Sequence, residues 1–317
     1  MAVFTEVSPH EAQALLHRLQ LGELVELRGI EGGIENTNYF LTSDQGAFVL
    51  TLFERLTAEQ LPFYLHLMKH LAHGGIPVPD PRADENGDIL LSVCGKPAAV
   101  VNKLAGKSQL APQGLHCAAV GTMLARMHLA GHGFERRQPN LRGLPWWNET
   151  APVVLPYLDP AQAALLRAEL AYQNHVAASS AYAALPTGPV HADLFRDNVM
   201  FDGEALTGFF DFYFAGVDTW LFDLAVCLND WCIDLATGRH DAARAARMLD
   251  AYQAVRPLTA AERELLPAMA RAGALRFWIS RLWDFYLPRE ASMLKPHDPT
   301  HFERVLRARI ADPVHAP

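Results

Sequence analysis

The chain has 317 residues, of which half are hydrophobic and 20% are charged. It is therefore long enough for one large domain or two lobes, and too apolar to be disordered. The formal net charge of −8 argues against a nucleic-acid surface, and no apolar run of about 18 residues predicts a membrane span. Residues 1–9 lack the pattern of a secretory signal and the four cysteines are scattered, which predicts a cytoplasmic protein with reduced thiols.

The N-terminal region is predicted to begin with a helix and continue with strands. Ser8-Pro9-His10-Glu11 forms a capping box with proline at the first helical position, which predicts a helix over 9–20. Alternating or β-branched apolar runs predict strands at Leu24–Ile30, Asn38–Thr42 and Ala47–Phe53.

The turn between the first two of these strands is a candidate nucleotide loop. It carries Gly32 and Gly33, followed by Asn36, Thr37 and Asn38. Paired glycines let backbone N–H groups approach phosphate oxygens, so we predict that these five residues bind the nucleotide. The turn lacks G-x-G-x-x-G and is not a Walker sequence, so by itself an ordinary hairpin turn explains it equally well.

A small nucleotide-binding lobe is predicted to occupy residues 1–103. Its remaining predicted elements are one helix and two strands, at residues 58–73, Ile89–Val93 and Pro97–Val101. The stretch from Asn102 to Gly106 is the candidate hinge, where strands give way to helices. We predict that the backbone of Asn102 and Leu104 hydrogen-bonds an adenine edge.

A larger catalytic and substrate-binding lobe is predicted over residues 104–317. Its predicted helices cover residues 111–130, 160–184, 219–236, 241–254, 260–287 and 299–310. The region from Gly131 to Pro156 is rich in glycine, proline and aromatic residues and is predicted to be a structured loop. His128, on the first of these helices, is expected to pack between the two lobes.

The stretch from His191 to Asn198 is the centre of the predicted chemistry. It precedes Val199-Met200-Phe201, the turn Asp202-Gly203, and the apolar run Leu206–Phe212. Asp-Gly between two apolar runs is a strong hairpin signal. The hairpin would therefore tie the loop that holds Asp193 and Asn198 to a strand that carries Asp211.

Two carboxylates and one carboxamide in this arrangement suit phosphoryl transfer. Oxygen ligands of this kind bind Mg²⁺, which is completed by phosphate oxygens and water, and a carboxylate off the metal can accept a proton from a hydroxyl. Kinases use a loop Asp as base, an Asn five residues later and a further Asp for Mg²⁺. We predict that Asp193 is the catalytic base and that Asn198 and Asp211 bind Mg²⁺ with ATP; the alternative is a polar hairpin with unrelated acids.

The His-x-Asp-x-x-x-x-Asn pattern at His191 to Asn198, followed by an Asp-Phe pair, resembles the aminoglycoside phosphotransferase and choline kinase branch of the protein-kinase-like superfamily. The segments Gly32–Phe40, Phe48–Glu54 and Asp193–Asn198 resemble bacterial homoserine kinases of that branch. The resemblance implies an α+β, two-lobed fold with a small antiparallel-sheet N-lobe and a larger, mainly helical C-lobe. It also implies transfer of the ATP γ-phosphate to the side-chain hydroxyl of L-homoserine, giving O-phospho-L-homoserine for threonine biosynthesis.

The phosphate-binding lysine of kinases is replaced in this chain. Thr51 stands where that lysine is expected, which leaves phosphate neutralisation to Mg²⁺, loop amides and one of Arg55, Lys103 or Lys107. Glu59 is only a positional candidate for the glutamate that partners the kinase lysine.

The acceptor has to be held by its ammonium and its carboxylate, which asks for acidic and basic partners. Arg196 and Asp223 are the predicted substrate residues; other candidates in the same half of the chain are Asp218, Asp230, Arg281 and Asp284.

Two alternatives remain open from sequence. One is another small-molecule kinase of this fold, acting on choline, an aminoglycoside or a fructosamine. The other is a nucleotide-binding scaffold without catalysis, which the loss of the lysine favours and the intact Asp193, Asn198 and Asp211 oppose. The sequence does not predict an oligomeric state.

Overall fold

The structure, a computed structural model, describes residues 5–30, 36–287 and 297–316. The chain divides into two compact units, one formed by residues 1–105 with Gly208–Phe210 and the other by 106–207 with 211–317. The first contains a small antiparallel sheet and the second is mainly helical, which confirms the predicted fold class. Within the described ranges, no helix has the length and apolar character that crossing a membrane requires.

The sheet of the first unit has five antiparallel strands. They are β1 (Leu24–Gly29), β2 (Asn36–Ser43), β3 (Gly46–Phe53), β4 (Leu91–Val93) and β5 (Lys96–Asn102). Their order is β1-β2-β3-β5-β4, so β3 lies at the centre, and Thr51 pairs with Asn38 on one side and Ala99 on the other.

The two faces of this sheet differ in burial because side chains alternate along a strand. Tyr39, Leu41, Leu50 and Leu52 point to one face and form a single buried cluster with the apolar side of helix α1 (Pro9–Arg18). The other face carries half-buried side chains from alternate positions of β2. Helix α1 therefore covers the first face and leaves the second face uncovered by this cluster.

Helix α1 begins at its predicted capping box. The Ser8 hydroxyl accepts a hydrogen bond from the Glu11 N–H at 3.2 Å, and the Glu11 carboxylate accepts one from the Ser8 N–H at 2.9 Å. Helix α2 runs from Pro62 to His73, so the prediction of a start at residue 58 is wrong. A proline at the first helical position sets the start, and the preceding residues form a turn in which the Gln60 N–H donates to the Thr57 carbonyl at 3.0 Å.

The second unit contains eight helices among the described residues. They are α3 (Gly114–Ala130), α4 (Leu144–Val154), α5 (Pro160–Ala177), α6 (Ser180–Ala183), α7 (Trp220–Trp231), α8 (Ala242–Val255), α9 (Ala260–Tyr286) and α10 (Thr300–Ala311). Helix α4 lies in the region predicted to be a loop, which corrects that prediction. Gly143 and Pro145 stand at the helix start, where they are compatible with helix. Pro152 lies near the helix end, and Trp147 and Val154 are buried.

Helices α3 and α8 approach each other closely at Gly121. A Cβ at this position would lie 2.3 Å from the carbonyl oxygen of Met248. We expect Gly121→Ala to lower the free energy of unfolding by about 2 kcal/mol or more, as overpacked cores do, although alanine is the better helix former by about 1 kcal/mol. Urea unfolding followed by circular dichroism measures this change.

Gly131→Ala is the matched control for this prediction. Its Cβ would lie 3.5 Å from the side chain of Pro189, an ordinary contact, and its backbone is already helical. A Gly121→Ala protein as stable as the Gly131→Ala protein would contradict the close packing of α3 on α8.

The predicted hairpin is present, and all of it except Gly208 and Phe209 belongs to the second unit. Strand β7 (Thr187–Val190) leads into the polar loop, and β8 (Val199–Asp202) and β9 (Ala205–Phe209) follow around the Asp-Gly turn. Strand β9 ends earlier than predicted, so Asp211 lies after the strand instead of within it. Two further strands complete the pairing: β6 (Lys107–Ser108) pairs with β8, and β10 (Gly216–Thr219) pairs with β7.

Candidate active site

The loop after β7 is closed by its own hydrogen bonds. The Phe195 N–H donates to the Asp193 carbonyl at 2.8 Å, and the Asn198 N–H donates to the Phe195 carbonyl at 3.0 Å. The Asn198 side-chain nitrogen also donates to the Asp193 carbonyl, at 2.9 Å. This bond fixes the orientation of the Asn198 carboxamide, whose oxygen is the atom that can ligate a cation.

Asp223 of α7 anchors the start of the loop. Its Oδ2 accepts a hydrogen bond from the His191 N–H and its Oδ1 accepts one from the Ala192 N–H, both at 2.8 Å. Ala192 has a φ of 63°, a left-handed conformation that costs roughly 1 kcal/mol or more for a residue with a side chain. The fully buried carboxylate therefore holds a strained turn immediately before Asp193.

His128 extends this support into the core of the second unit. Its Nε2 lies 3.1 Å from Asp223 Oδ2, its Nδ1 lies 2.8 Å from the Tyr252 hydroxyl, and its ring stacks on Trp220 at 5.5 Å. All three partners belong to the second unit, so the expectation of a histidine packed between lobes is corrected.

The charges in this network follow from the hydrogen bonds. Burial lowers the pKa of His128 more than Asp223 raises it, so the imidazole is neutral and donates from Nε2. Burial also opposes ionisation of Asp223, but the hydrogen bond from His128, together with that from the His191 N–H, holds the pKa of that carboxyl below its usual range. Asp223 is thus an anion held by donors on three sides.

Arg196 supports the loop from its other end. Its backbone N–H donates to Asp230 Oδ2 at 2.8 Å, and its Nε donates to the same oxygen at 3.1 Å. Its two terminal nitrogens donate to the carbonyls of Leu110 and Asp230. The prediction that Arg196 and Asp223 bind the substrate is therefore corrected, because both buried side chains use their hydrogen-bonding capacity to hold the loop.

Asp193 stands partly buried between these two anchors. Burial raises its pKa to about 8; Arg276 and Arg281 oppose this effect, while Asp211 and Asp197 add to it. A carboxyl with a pKa near neutrality is suited to accept the proton of an alcohol. Both arginines whose charges oppose this effect lie on helix α9.

Asp211 is brought to the same part of the unit by the segment that follows β9. It has a φ of 68° and precedes a 3₁₀ turn at Phe212–Phe214. The Phe212 ring lies 4.5 Å from the His191 ring, centroid to centroid. Left-handed non-glycine residues concentrate at functional sites, and Ala192 and Asp211 are two of the four seen in the described chain.

The donors at Asn198 and Asp211 fit Mg²⁺. Magnesium is usually bound by one or two carboxylates with substrate phosphates and water, and seldom by a cage of protein ligands. The described parts of the chain contain no group of three or more His, Cys, Asp or Glu side chains arranged to hold a metal. One carboxylate and one carboxamide match a magnesium ion that arrives with a nucleotide.

The predicted nucleotide loop is described only in part. Gly32 and Gly33 lie outside the described residues. Asn36 opens β2 and is half-buried, whereas Thr37 is fully buried on the face that packs against α1. The Thr37 hydroxyl donates to Glu54 Oε1 at 2.6 Å, so its side chain is corrected from a nucleotide contact to a structural one.

Thr51 and Asn38 form a pair on the opposite face of the sheet. The Thr51 hydroxyl donates to Asn38 Oδ1 at 2.7 Å. Phe40 lies on the same face, two residues along β2, and the Lys103 ammonium stands 4.4 Å from its ring centroid. Lys103, one of the three basic residues proposed to replace the kinase lysine, therefore has a contact on the Thr51 face.

An ion pair on the α1 face escaped the sequence interpretation. Lys96 of β5 binds the carboxylate of Glu54, which also accepts the hydroxyls of Thr5 and Thr37. Burial opposes ionisation of Glu54, but these hydrogen bonds, that of Lys96 first, hold its pKa below the usual range. Glu59, the positional candidate for such a pair, instead lies exposed in the turn before α2.

The predicted hinge continues directly from β5. The Asn102 side-chain oxygen accepts a hydrogen bond from the Asp80 N–H at 2.6 Å, and the Lys103 N–H donates to the Ala47 carbonyl at 3.0 Å. The Leu104 side chain packs closely on Gly208. A Cβ on residue 208 would lie 2.9 Å from the Leu104 side chain. Adenine binding by the backbone of Asn102 and Leu104 stays a prediction.

Sequence relatives place the chain in a known family. A profile of the phosphotransferase enzyme family matches residues 26–286. The homoserine kinase of Polaromonas naphthalenivorans is 70% identical over 313 residues, which cover 99% of each chain. The homoserine kinase of Cupriavidus necator is 60% identical over 327 aligned positions, covering 100% of this chain and 99% of that one.

Solved structures agree on the fold. The amicoumacin kinase hAmiN, in complex with AMP-PNP, Ca²⁺ and Ami, has a TM-score of 0.69 at 17% identity and covers 95% of this chain and 94% of its own. A choline kinase from Cryptosporidium parvum Iowa II has a TM-score of 0.65 at 11% identity, covering 90% and 89%. These similarities confirm the protein-kinase-like fold.

The fold and the family define an ATP-dependent kinase that acts on a small molecule with an alcohol as acceptor. This outcome confirms the predicted class of enzyme. The chain belongs to the phosphotransferase enzyme family and, within it, to the homoserine kinases.

Proposed function

We propose that the chain transfers the γ-phosphate of ATP to the side-chain hydroxyl of L-homoserine, giving O-phospho-L-homoserine for threonine biosynthesis. The observation that carries the proposal is the 70% identity to a homoserine kinase over 99% of both chains. Such full-length similarity includes the acceptor-binding half of the chain as well as the loop, so it bears on the acceptor and not only on the fold.

Asp193 is the proposed catalytic base. It orients the acceptor hydroxyl and takes its proton as the phosphoryl group is transferred. Arg276 and Arg281 offset its charge. Asp223 holds the backbone just before Asp193, at Ala192, and Asp230 holds the backbone after it, at Arg196, so the position of Asp193 is fixed. Because phosphoryl transfer depends mostly on positioning and charge stabilisation, the rigidity of this loop is part of the mechanism.

Asn198 and Asp211 are the proposed magnesium ligands. They would hold the ion through the Asn198 carboxamide oxygen and the Asp211 carboxylate. A bound Mg²⁺ neutralises charge on the ATP phosphates. The hydrogen bond from the Asn198 nitrogen to the Asp193 carbonyl supports this role, because it fixes the amide so that only its oxygen is available to a cation.

Nucleotide binding is proposed for the sheet unit, and acceptor binding for the helical unit. The backbone at Gly32 and Gly33, with Asn36 and Asn38, would contact phosphates, and the backbone of Asn102 and Leu104 would contact adenine. The pair of Thr51 and Asn38 occupies the face on which Lys103 lies. Lys103 is accordingly the proposed cation for the phosphates in place of the usual lysine.

Coupled ADP release with Mg²⁺-ATP tests this function. L-homoserine is compared with L-serine, choline and an aminoglycoside panel. We expect kcat/KM for L-homoserine to exceed that for L-serine by at least about tenfold, since even one missing methylene is worth that much, and to exceed the others by more. Chelation of divalent cations should stop ADP release, and added Mg²⁺ should restore it.

The alternatives give different results in the same assay. A preference for choline or an aminoglycoside would keep the kinase mechanism and reject the acceptor. ATP binding without ADP release for any acceptor would favour the scaffold. The intact Asp193 argues against the scaffold, because a protein that only binds nucleotide needs no base.

A further inference from the structure

Helix α9 carries a buried arginine whose hydrogen-bonding groups are not satisfied. Arg276 is 3% exposed, and within the described ranges its Nε and Nη2 have no hydrogen-bond partner. A buried charged donor without a partner is costly, because it has lost its water and gained nothing in return. Such a group is expected where a ligand completes it.

Several arginines of this unit are paired with carboxylates, although Arg309, buried on α10, also has two nitrogens without a partner among the described residues. Three of them form ion pairs, namely Arg196 with Asp230, Arg256 with Glu262 and Arg271 with Glu169. Arg276 differs because no described carboxylate lies within ion-pair distance of its two unpartnered nitrogens. Its guanidinium is instead in contact with aromatic rings, 3.8 Å from the centroid of Phe277 and 5.1 Å from that of Phe214.

The position of Arg276 is at the candidate active site. Phe214 lies three residues after Asp211 in the chain. Burial lowers the pKa of Arg276 to about 10, and the charge of Asp193 is the largest effect that opposes it. The guanidinium is therefore charged at neutral pH and stands in the field of the proposed base.

Helix α9 holds this side chain in a fixed place. The Phe277 ring packs on Phe195 of the loop at 4.4 Å and on Phe302 of α10 at 5.0 Å. The Asn229 side chain of α7 donates to the Ala270 carbonyl at 2.7 Å. Helix α9 thus packs on the loop and is hydrogen-bonded to α7, the helix that anchors the loop.

We infer that Arg276 binds the carboxylate of the acceptor amino acid and determines the preference for an amino-acid alcohol; this inference rests on the proposed function. L-homoserine carries its hydroxyl and its carboxylate on one short chain. When the hydroxyl meets Asp193, the carboxylate can reach a cation beside that residue. A planar guanidinium with unpartnered N–H groups offers two parallel hydrogen bonds to a carboxylate.

A second role for Arg276 has to be separated from this one. The guanidinium also offsets the charge of Asp193, so its removal could slow phosphoryl transfer to any acceptor. An acceptor that lacks the carboxylate distinguishes the two roles. 3-Amino-1-propanol has the hydroxyl and the amine of homoserine and no carboxylate.

The experiment measures kcat/KM for both acceptors with the wild-type protein and Arg276→Met. For the wild type we expect L-homoserine to exceed 3-amino-1-propanol by about 100-fold or more, because a site built for a charged group leaves its own groups unpaired with the analogue. Arg276→Met should reduce the value for L-homoserine about 100-fold more than that for 3-amino-1-propanol, which loses only the effect of the charge near Asp193.

Two further variants complete the design. Arg281→Met removes another charge near Asp193 and should change both acceptors by the same factor. Arg276→Lys keeps a charge without the planar fork, so KM for L-homoserine should rise while kcat is largely kept. This variant also keeps the test valid where the methionine variant does not fold, which thermal unfolding detects.

The outcomes separate the inference from the proposed function. Equal losses for both acceptors in Arg276→Met would show that Arg276 acts only through Asp193 and would overturn the inference. If Arg281→Met, and not Arg276→Met, selectively lost activity toward L-homoserine, the carboxylate-binding role would be assigned to Arg281. That result would also overturn the inference. A wild-type protein that does not phosphorylate L-homoserine would reject the proposed function before any variant is compared.

Discussion

Asp193→Asn is expected to lower kcat with L-homoserine by about a thousandfold, while KM for ATP changes less than about fivefold. General-base catalysis typically contributes about 10² to 10⁴ in rate, and the amide cannot accept the hydroxyl proton. The backbone of the loop should survive, because its anchors act on His191, Ala192 and Arg196. Steady-state kinetics by coupled ADP release measures both constants.

Asp197→Asn is the matched control in the same loop. Asp197 is exposed, and its charge only adds to the raised pKa of Asp193. We expect its kcat to stay within a few-fold of wild type. If Asp193→Asn retained a comparable rate, the assignment of the base would be wrong and another group would have to accept the proton.

Asp223→Ala is expected to lower the free energy of unfolding by about 3 to 5 kcal/mol, the range for removing one partner from a buried charged network. The substitution leaves the N–H groups of His191 and Ala192 and the Nε2–H of His128 without an acceptor. It also releases the left-handed turn at Ala192, so kcat should fall even at temperatures where the variant is folded.

Urea unfolding and kcat measured on the same samples test this second expectation. Asp250→Ala, on the exposed side of α8, removes a carboxylate without a buried network and should change stability by less than about 0.5 kcal/mol. The stability of Asp223→Asn should lie between those of the two alanine variants. Its amide keeps one acceptor oxygen but presents a donor where the second carboxylate oxygen accepted an N–H. An Asp223→Ala protein as stable as the Asp250→Ala protein would refute the anchoring role.

The sequence was most informative where the structure depends on neighbours in the chain. The capping box at Ser8 and Glu11 and the Asp-Gly hairpin turn are local, and the structure contains both. The spacing from Asp193 to Asn198 is local too, since one hydrogen bond joins them. The roles of these residues remain predictions, but their proximity follows from short-range geometry.

The supporting residues of the loop depend on partners far along the chain. Arg196 resembled a substrate-binding cation because its partner Asp230 lies on a helix that follows later. Asp223 resembled a substrate-binding acid for the same reason. No pattern within a short window joins His128 to Asp223 or Tyr252, so the network could be found only in the folded molecule.

Burial also separates roles that the sequence analysis did not distinguish. Thr37 and Asn38 are adjacent but face opposite sides of the sheet, so one is structural and the other lies on the Thr51 face. The alternation of β2 contains that information. Arg276 gave no signal at all, because an arginine among the apolar residues of a long helix is indistinguishable from a solvated one until its burial is known.

The division of the chain into two units has a consequence for its synthesis. Residues 208–210 belong to the unit formed by 1–105, where the Phe209 N–H donates to the Pro77 carbonyl at 3.0 Å. The ribosome must therefore translate the whole of 106–207 before the first unit is complete. At about 5 to 20 residues per second, the nascent first unit waits on the order of 5 to 20 s for the residue that donates to Pro77.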